Sequence, residues 1–144
     1  MTDSYPAFIV NVEVALWNGT ALLITERSSE EALGGGLLAF PGGKVEHSED
    51  RRDTLEAAAR REASEEIGVV PGDLVYAQSF TFEPRPGRHV LDIVLAARSW
   101  EGDPHIKAPR EIADLRWMTP DEVVARDNCP PWLAASVAAV AKVV

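Results

Sequence analysis

Apolar residues alternate loosely through 8–17 (FIVNVEVALW), many of them β-branched or aromatic, a pattern that predicts a strand. Asn18-Gly19 follows and favours a tight hairpin into a second strand over 20–27. The next loop, SSEEALGGG, ends in Gly34, Gly35 and Gly36 and is expected to be mobile or tightly turned. A short apolar run over 37–40 then leads into Pro41-Gly42-Gly43. Over 54–67 the spacing becomes helical, with Leu55, Ala58 and Ala59 on one face directed at a core. Asp53-x-x-Glu56 reads as a capping box, and Gly68 suits the left-handed position that ends a helix. Strands are predicted again over 74–83 and 89–98, joined by the turn Pro84–Arg88. The continuous apolar run in the later strand marks a central position covered on both faces. Residues 111–118 read as a last strand. Thr119-Pro120-Asp121-Glu122 then starts a short helix to Arg126. Pro130-Pro131-Trp132 opens a final helix whose stripe, Val137, Val140, Ala141 and Val144, should pack on the sheet. Strands before, between and after a central helix predict a mixed α/β sandwich, in one domain over 1–144.

Composition narrows the functional classes. The net charge of −9 argues against binding long nucleic acid, which needs a basic surface. It leaves small phosphorylated substrates open, because metal ions can supply the positive charge. Cys129 is the only cysteine, so no internal disulfide can form, and a reducing, cytoplasmic setting is expected. Cys129 reads as a passive loop residue. No apolar run is long enough for a membrane span, and MTDSYPAF does not read as a signal peptide. A monomer or homodimer is expected.

The chemistry concentrates between Gly42 and Val69. Glu62, Glu65 and Glu66 fall at i, i+3 and i+4, on or beside the face that carries Leu55, Ala58 and Ala59. Carboxylates crowded on an inward-leaning face repel one another and lose hydration. Hard divalent cations, Mg²⁺ or Mn²⁺, reverse that cost by taking several carboxylate oxygens. The alternative is a solvated acidic face partly neutralised by Arg60 and Arg61.

At these residues the chain resembles the Nudix (MutT-like) hydrolases, whose box reads G-x5-E-x7-R-E-U-x-E-E-x-G-U, U being aliphatic. Gly43 and Glu49 match its first half, and Arg61-Glu62-Ala63-Ser64-Glu65-Glu66-Ile67-Gly68-Val69 matches its second, with Ala63 at an aliphatic position. Asp50, Arg51, Arg52 and Asp53 read as a loop insertion between the halves. The resemblance implies an α/β/α sandwich with a mixed sheet and a loop-helix catalytic motif. It implies hydrolysis of a nucleoside diphosphate linked to another moiety, with Mg²⁺ or Mn²⁺ as cofactor and a small nucleotide as substrate. The metal ligands it implies are Glu62, Glu65, Glu66 and the Gly42 carbonyl. Arg61 would orient the box glutamates through Glu49. The general base is left between Glu62 and Glu111, which precedes the last strand. Arg27 and Lys44 are candidate phosphate contacts, and Arg85 and Arg88, with His89, a candidate basic rim. Pro84, fifteen residues beyond Val69, points to ADP-ribose, whereas the short layout looks like the nucleoside triphosphate hydrolases. A binding or regulatory domain without catalysis is the alternative, disfavoured by the intact carboxylate set.

Overall fold

The computed structural model describes residues 4–144; residues 1–3, where the N-terminal reading begins, lie outside the described residues. In chain order the elements are β1 (Ile9–Leu16), β2 (Leu22–Arg27), β3 (Leu38–Ala39), β4 (Gly42–Lys44), α1 (Thr54–Ile67), β5 (Val70–Pro71), β6 (Val75–Arg85), β7 (Arg88–Ala97), β8 (Trp100–Glu101), β9 (Ile112–Met118), α2 (Pro120–Val124) and α3 (Pro131–Ala141). A four-stranded sheet runs β4-β1-β7-β6 and a three-stranded sheet β3-β2-β9, with β5 and β8 as a small pair. The larger sheet is mixed: β1 and β7 are parallel, and the other pairs are antiparallel.

Two cores give the sandwich its layers. On one face Val12, Val14, Leu16, Ile93 and Leu95 meet Ala58, Ala59, Ala63 and Ile67 of α1. On the other, Ala15, Val94 and Ala96 meet Leu133, Val137 and Val140 of α3 and Val123 of α2. The strand period of two sends alternate residues to opposite faces. β2 therefore contributes Leu23 to the first core and Leu22 and Ile24 to the second. This is the expected α/β/α sandwich.

Three local expectations are corrected. The Asn18-Gly19 turn forms, with Gly19 at φ 102° and Asn18 Oδ1 accepting from the Thr20 and Ala21 amides. It does not build a β1–β2 hairpin: a single bridge, Trp17 to Leu22, joins them before they part into different sheets. Asp53 does not cap α1. It sits in the left-handed region at φ 52°, its side chain makes no cap bond, and Thr54 Oγ1 instead donates to the Asp50 carbonyl at 2.6 Å. Ala141, placed on the α3 stripe, is exposed. Gly68 ends α1 at φ 69° and Thr119 caps α2 in a full capping box, as expected. The glycine loop after β2 is tightly turned, Gly34 and Gly36 both having positive φ and Gly36 N donating to the Arg27 carbonyl.

Candidate functional site

β4 carries the site because it has almost no side chain. Opposite β1, Gly42 lies so close that a Cβ would stand 2.2 Å from the Val12 carbonyl oxygen, so only glycine fits. A Cβ on Gly43 would stand 2.4 Å from the Glu62 carboxyl carbon. The glycine strand is thus a slot into which α1 sends its carboxylates. Gly42 N–H donates to Glu66 Oε2 at 3.1 Å.

Arg61 is the hub of the box. Its Nε donates to Glu49 Oε1 at 2.6 Å, its Nη1 to Glu62 Oε1 at 2.8 Å, and its Nη2 to the Lys44 carbonyl at 2.8 Å. The Glu49–Arg61 pair therefore forms across the longer loop. Burial opposes the Arg61 charge, but its bonds to Glu49 and Glu62 outweigh that and hold the guanidinium firmly protonated. Arg60, read as a neutraliser, serves elsewhere. It donates to the Pro71 and Gly72 carbonyls and ties α1 to the β5 turn.

The three helix carboxylates are not equivalent. The Glu62 side chain is 13% exposed and Glu66 is 9% exposed, so both lean inward. The Glu65 side chain is 61% exposed and turns to Arg61 Nη1 at 3.3 Å, which corrects the reading of three inward carboxylates. Burial raises the Glu66 carboxyl to about 8, against the Gly42 bond, with the charges of Glu62 and Glu111 adding to the rise. Burial also raises Glu62, opposed by Arg61 and reinforced by Glu65 and Glu111. The charge of Glu111 thus acts on both Glu62 and Glu66, although it comes from another part of the chain.

Glu111 is not on a loop free to close. Its carbonyl accepts from Ser28 N at 2.8 Å, and its amide donates to Ala108 O at 2.9 Å. The preceding segment is pinned to the end of α1 by Lys107 N to Glu66 O, 2.9 Å, and His105 N to Ile67 O, 3.0 Å. The His105 ring lies over Gly68, 2.3 Å from where a Cβ would be. Sequence reasoning placed Glu111 beside the site but missed this anchoring.

The remaining candidates are placed as follows. Arg27, at the irregular end of β2, is wrapped by the glycine loop through Leu33 O at 3.2 Å and Glu31 at 3.6 Å. Its charge acts on Glu66 and on Glu13. The Lys44 side chain is exposed at the end of β4, and its carbonyl belongs to Arg61. Arg85 and Arg88 face each other at the tip of the β6–β7 hairpin, and no ion pair among the described residues ties either to the box. His89 pairs with Glu83 at 3.4 Å on that hairpin.

Sequence reasoning missed one polar group altogether: Asn11, Glu13 and Asp92. Its signal is legible in retrospect as single acidic residues inside the apolar strands IVNVEVAL and RHVLDIVLAA. Burial, with the hydrogen bond and charge of Asp92, pushes Glu13 well above the ordinary carboxylate range.

Hard oxygen donors around a glycine slot fit a divalent cation. No three acidic, imidazole or thiol groups among the described residues close into a full cage.

The family model of the NUDIX domain matches residues 7–140. The chain belongs to the Nudix family. Over 83 residues it is 34% identical to the 8-oxo-dGTP diphosphatase of Escherichia coli K12, a match covering 58% of this chain and 60% of that protein. The chain thus spans about three fifths of that relative's length. It is 29% identical to the uncharacterized Nudix hydrolase YfcD of the same organism over 130 residues, covering 89% of this chain and 67% of YfcD. The crystal structure of a MutT Nudix hydrolase from Burkholderia pseudomallei superposes with a TM-score of 0.80 at 22% identity, covering 94% of this chain and 99% of that one, which shows a shared fold. Nudix hydrolases generally use divalent metals and act on small nucleotide substrates. No described helix is long and apolar enough to cross a membrane.

Proposed function

We propose that this protein is a divalent-metal-dependent pyrophosphohydrolase acting on a nucleoside triphosphate, with Mg²⁺ or Mn²⁺ as its metal. The observation that carries the reading is Glu66, a buried carboxyl held by Gly42 N–H and raised to about 8 beside two further acidic groups. Such a group is costly unless a cation shares it. The likeness to a relative named for 8-oxo-dGTP cleavage supports the substrate class.

Glu62, Glu65, Glu66 and the Gly42 carbonyl would hold the metal, which supplies charge neutralisation at the diphosphate and a more acidic bound water. Arg61, fixed by Glu49, orients Glu62 through one carboxylate oxygen. The other oxygen stays free to take a proton. Water attacks a phosphorus of the anhydride, its proton passes to Glu62, and the P–O bond to the departing phosphate breaks. Burial makes Glu62 a stronger base than an exposed glutamate. Glu111, whose charge acts on Glu62, is the second candidate for that role. Arg27 neutralises phosphate charge, with Lys44 at the outer end of β4. Arg85 and Arg88 form a basic hairpin tip for the outer part of a substrate. The lone, half-buried Cys129 suits a reducing cytoplasmic setting.

The test is product release from nucleoside triphosphates, with ADP-ribose alongside, in Mg²⁺, Mn²⁺ and chelator. Metal-dependent cleavage of a triphosphate supports the reading. Inertness across the panel with metal present defeats it, and cleavage of ADP-ribose alone defeats the substrate assignment.

A further inference from the structure

The C-terminal end of α1 is closed by a distant part of the chain. A helix leaves its last carbonyls without partners inside the helix. Gly68 N donates to the Ser64 carbonyl at 3.2 Å, and Val69 N to that of Ala63 at 3.4 Å. The Glu66 and Ile67 carbonyls accept from elsewhere, Glu66 O from Lys107 N at 2.9 Å and Ile67 O from His105 N at 3.0 Å. One of the two carbonyls closed in this way therefore belongs to a carboxylate of the box.

The segment that supplies these donors is fitted to its seat. It leaves β8 at Gly102, φ 97°, where a Cβ would stand 2.6 Å from the Gly68 carbonyl oxygen. Gly68 has no side chain to hold off the His105 ring, whose Cε1 occupies the space a Cβ would need. His105 Nδ1 donates to the Asp103 carbonyl at 2.8 Å, which sets the ring on that seat. His105 is exposed, so its place is not explained by core burial. The same segment leads on to Glu111. Glu111 N donates to the Ala108 carbonyl at 2.9 Å, and Ala108 directly follows Lys107. Two hydrogen bonds and two residues thus join the backbone of Glu66 to that of Glu111.

We infer that His105 is a positioning residue: seated on Gly68, it holds the Lys107 amide on the Glu66 carbonyl and so fixes Glu66 for the divalent cation. Groups one step behind a metal ligand orient it, and their loss weakens metal binding about 10–100-fold. The inference rests on the metal reading above and adds to it a residue outside the box.

The experiment titrates the metal-free protein with Mn²⁺, follows the free-ion signal by electron paramagnetic resonance, and records thermal unfolding of the same samples in chelator. His105→Ala removes the ring and should weaken Mn²⁺ binding about tenfold. His105→Phe keeps a planar ring on Gly68 and should retain most of the affinity. Gly102→Ala lifts the segment at its start and should lose affinity as His105→Ala does. A lowered melting temperature with unchanged Mn²⁺ affinity in both alanine variants would make the contact a stability element only and overturn the inference. An equal loss in His105→Phe and His105→Ala would overturn it too. A wild type that takes up no Mn²⁺ would defeat the metal reading itself, and the inference with it, and is told apart in the same titration.

Discussion

Replacing Glu66 by glutamine tests the physics of the box in the metal-stripped protein. The wild-type carboxyl is raised from 4.5 to about 8, so the folded state binds a proton more tightly than the unfolded chain. Folding stability from this group is full below pH 4.5 and is lost as pH rises toward 8. At about 1.4 kcal/mol per unit, the upper bound of that loss at pH 8 is about 4 kcal/mol. Glutamine keeps the shape and can still accept from Gly42 N–H, but its amide group needs a new partner. The realised gain should be roughly half the bound, on the order of 2 kcal/mol. For a chain of this size that is roughly 4–8 °C in melting temperature. Thermal unfolding of both proteins in chelator should show the variant more stable at pH 8 and nearly equal at pH 5. Added Mg²⁺ should stabilise the wild type at pH 8 more than the variant, since ligand binding to the native state raises stability. Equal melting temperatures at pH 8, or a gain independent of pH, would refute the reasoning.

Asp53→Gly should stabilise the protein by about 0.5–1 kcal/mol, because it relieves a left-handed non-glycine residue without losing a cap; the denaturant midpoint checks this. Gly68→Ala should cost on the order of 1–3 kcal/mol and depress turnover, since a methyl group there strikes the His105 ring and strains a positive φ; His105→Ala in the same chain should recover part of both. Glu62→Gln should cut turnover roughly 10²-fold or more, while Glu111→Gln should stay closer to the wild type in steady-state kinetics; the reverse order would transfer the proton-accepting role to Glu111.

Long-range contacts were the part of the fold that sequence could not supply. The α1 span was legible because its apolar spacing and Gly68 are local signals, and the structure places the helix at Thr54–Ile67. The Asn18-Gly19 turn was legible too, yet β1 and β2 part because their alternate residues fill two separate cores. Asp53 matched a capping pattern, but its left-handed backbone carries the side chain away from the first turn, and Thr54 bonds backward instead. The order of the box glutamates was plain in the motif. That Glu65 faces outward, where it pairs with Arg61 one turn away, was not. Asn11 and Asp92 are 81 positions apart and become hydrogen-bonded neighbours only through the parallel pairing of β1 with β7, so neither strand alone announces the pair.

The central claim is that the carboxylates around the glycine slot hold a divalent cation. Titrating the metal-free protein with Mn²⁺ and following the free-ion signal by electron paramagnetic resonance tests it most directly. The account predicts that the wild type removes Mn²⁺ from solution and that Glu66→Gln and Glu62→Gln each weaken this about tenfold or more, with the fold intact. Unchanged Mn²⁺ affinity in both variants would contradict it.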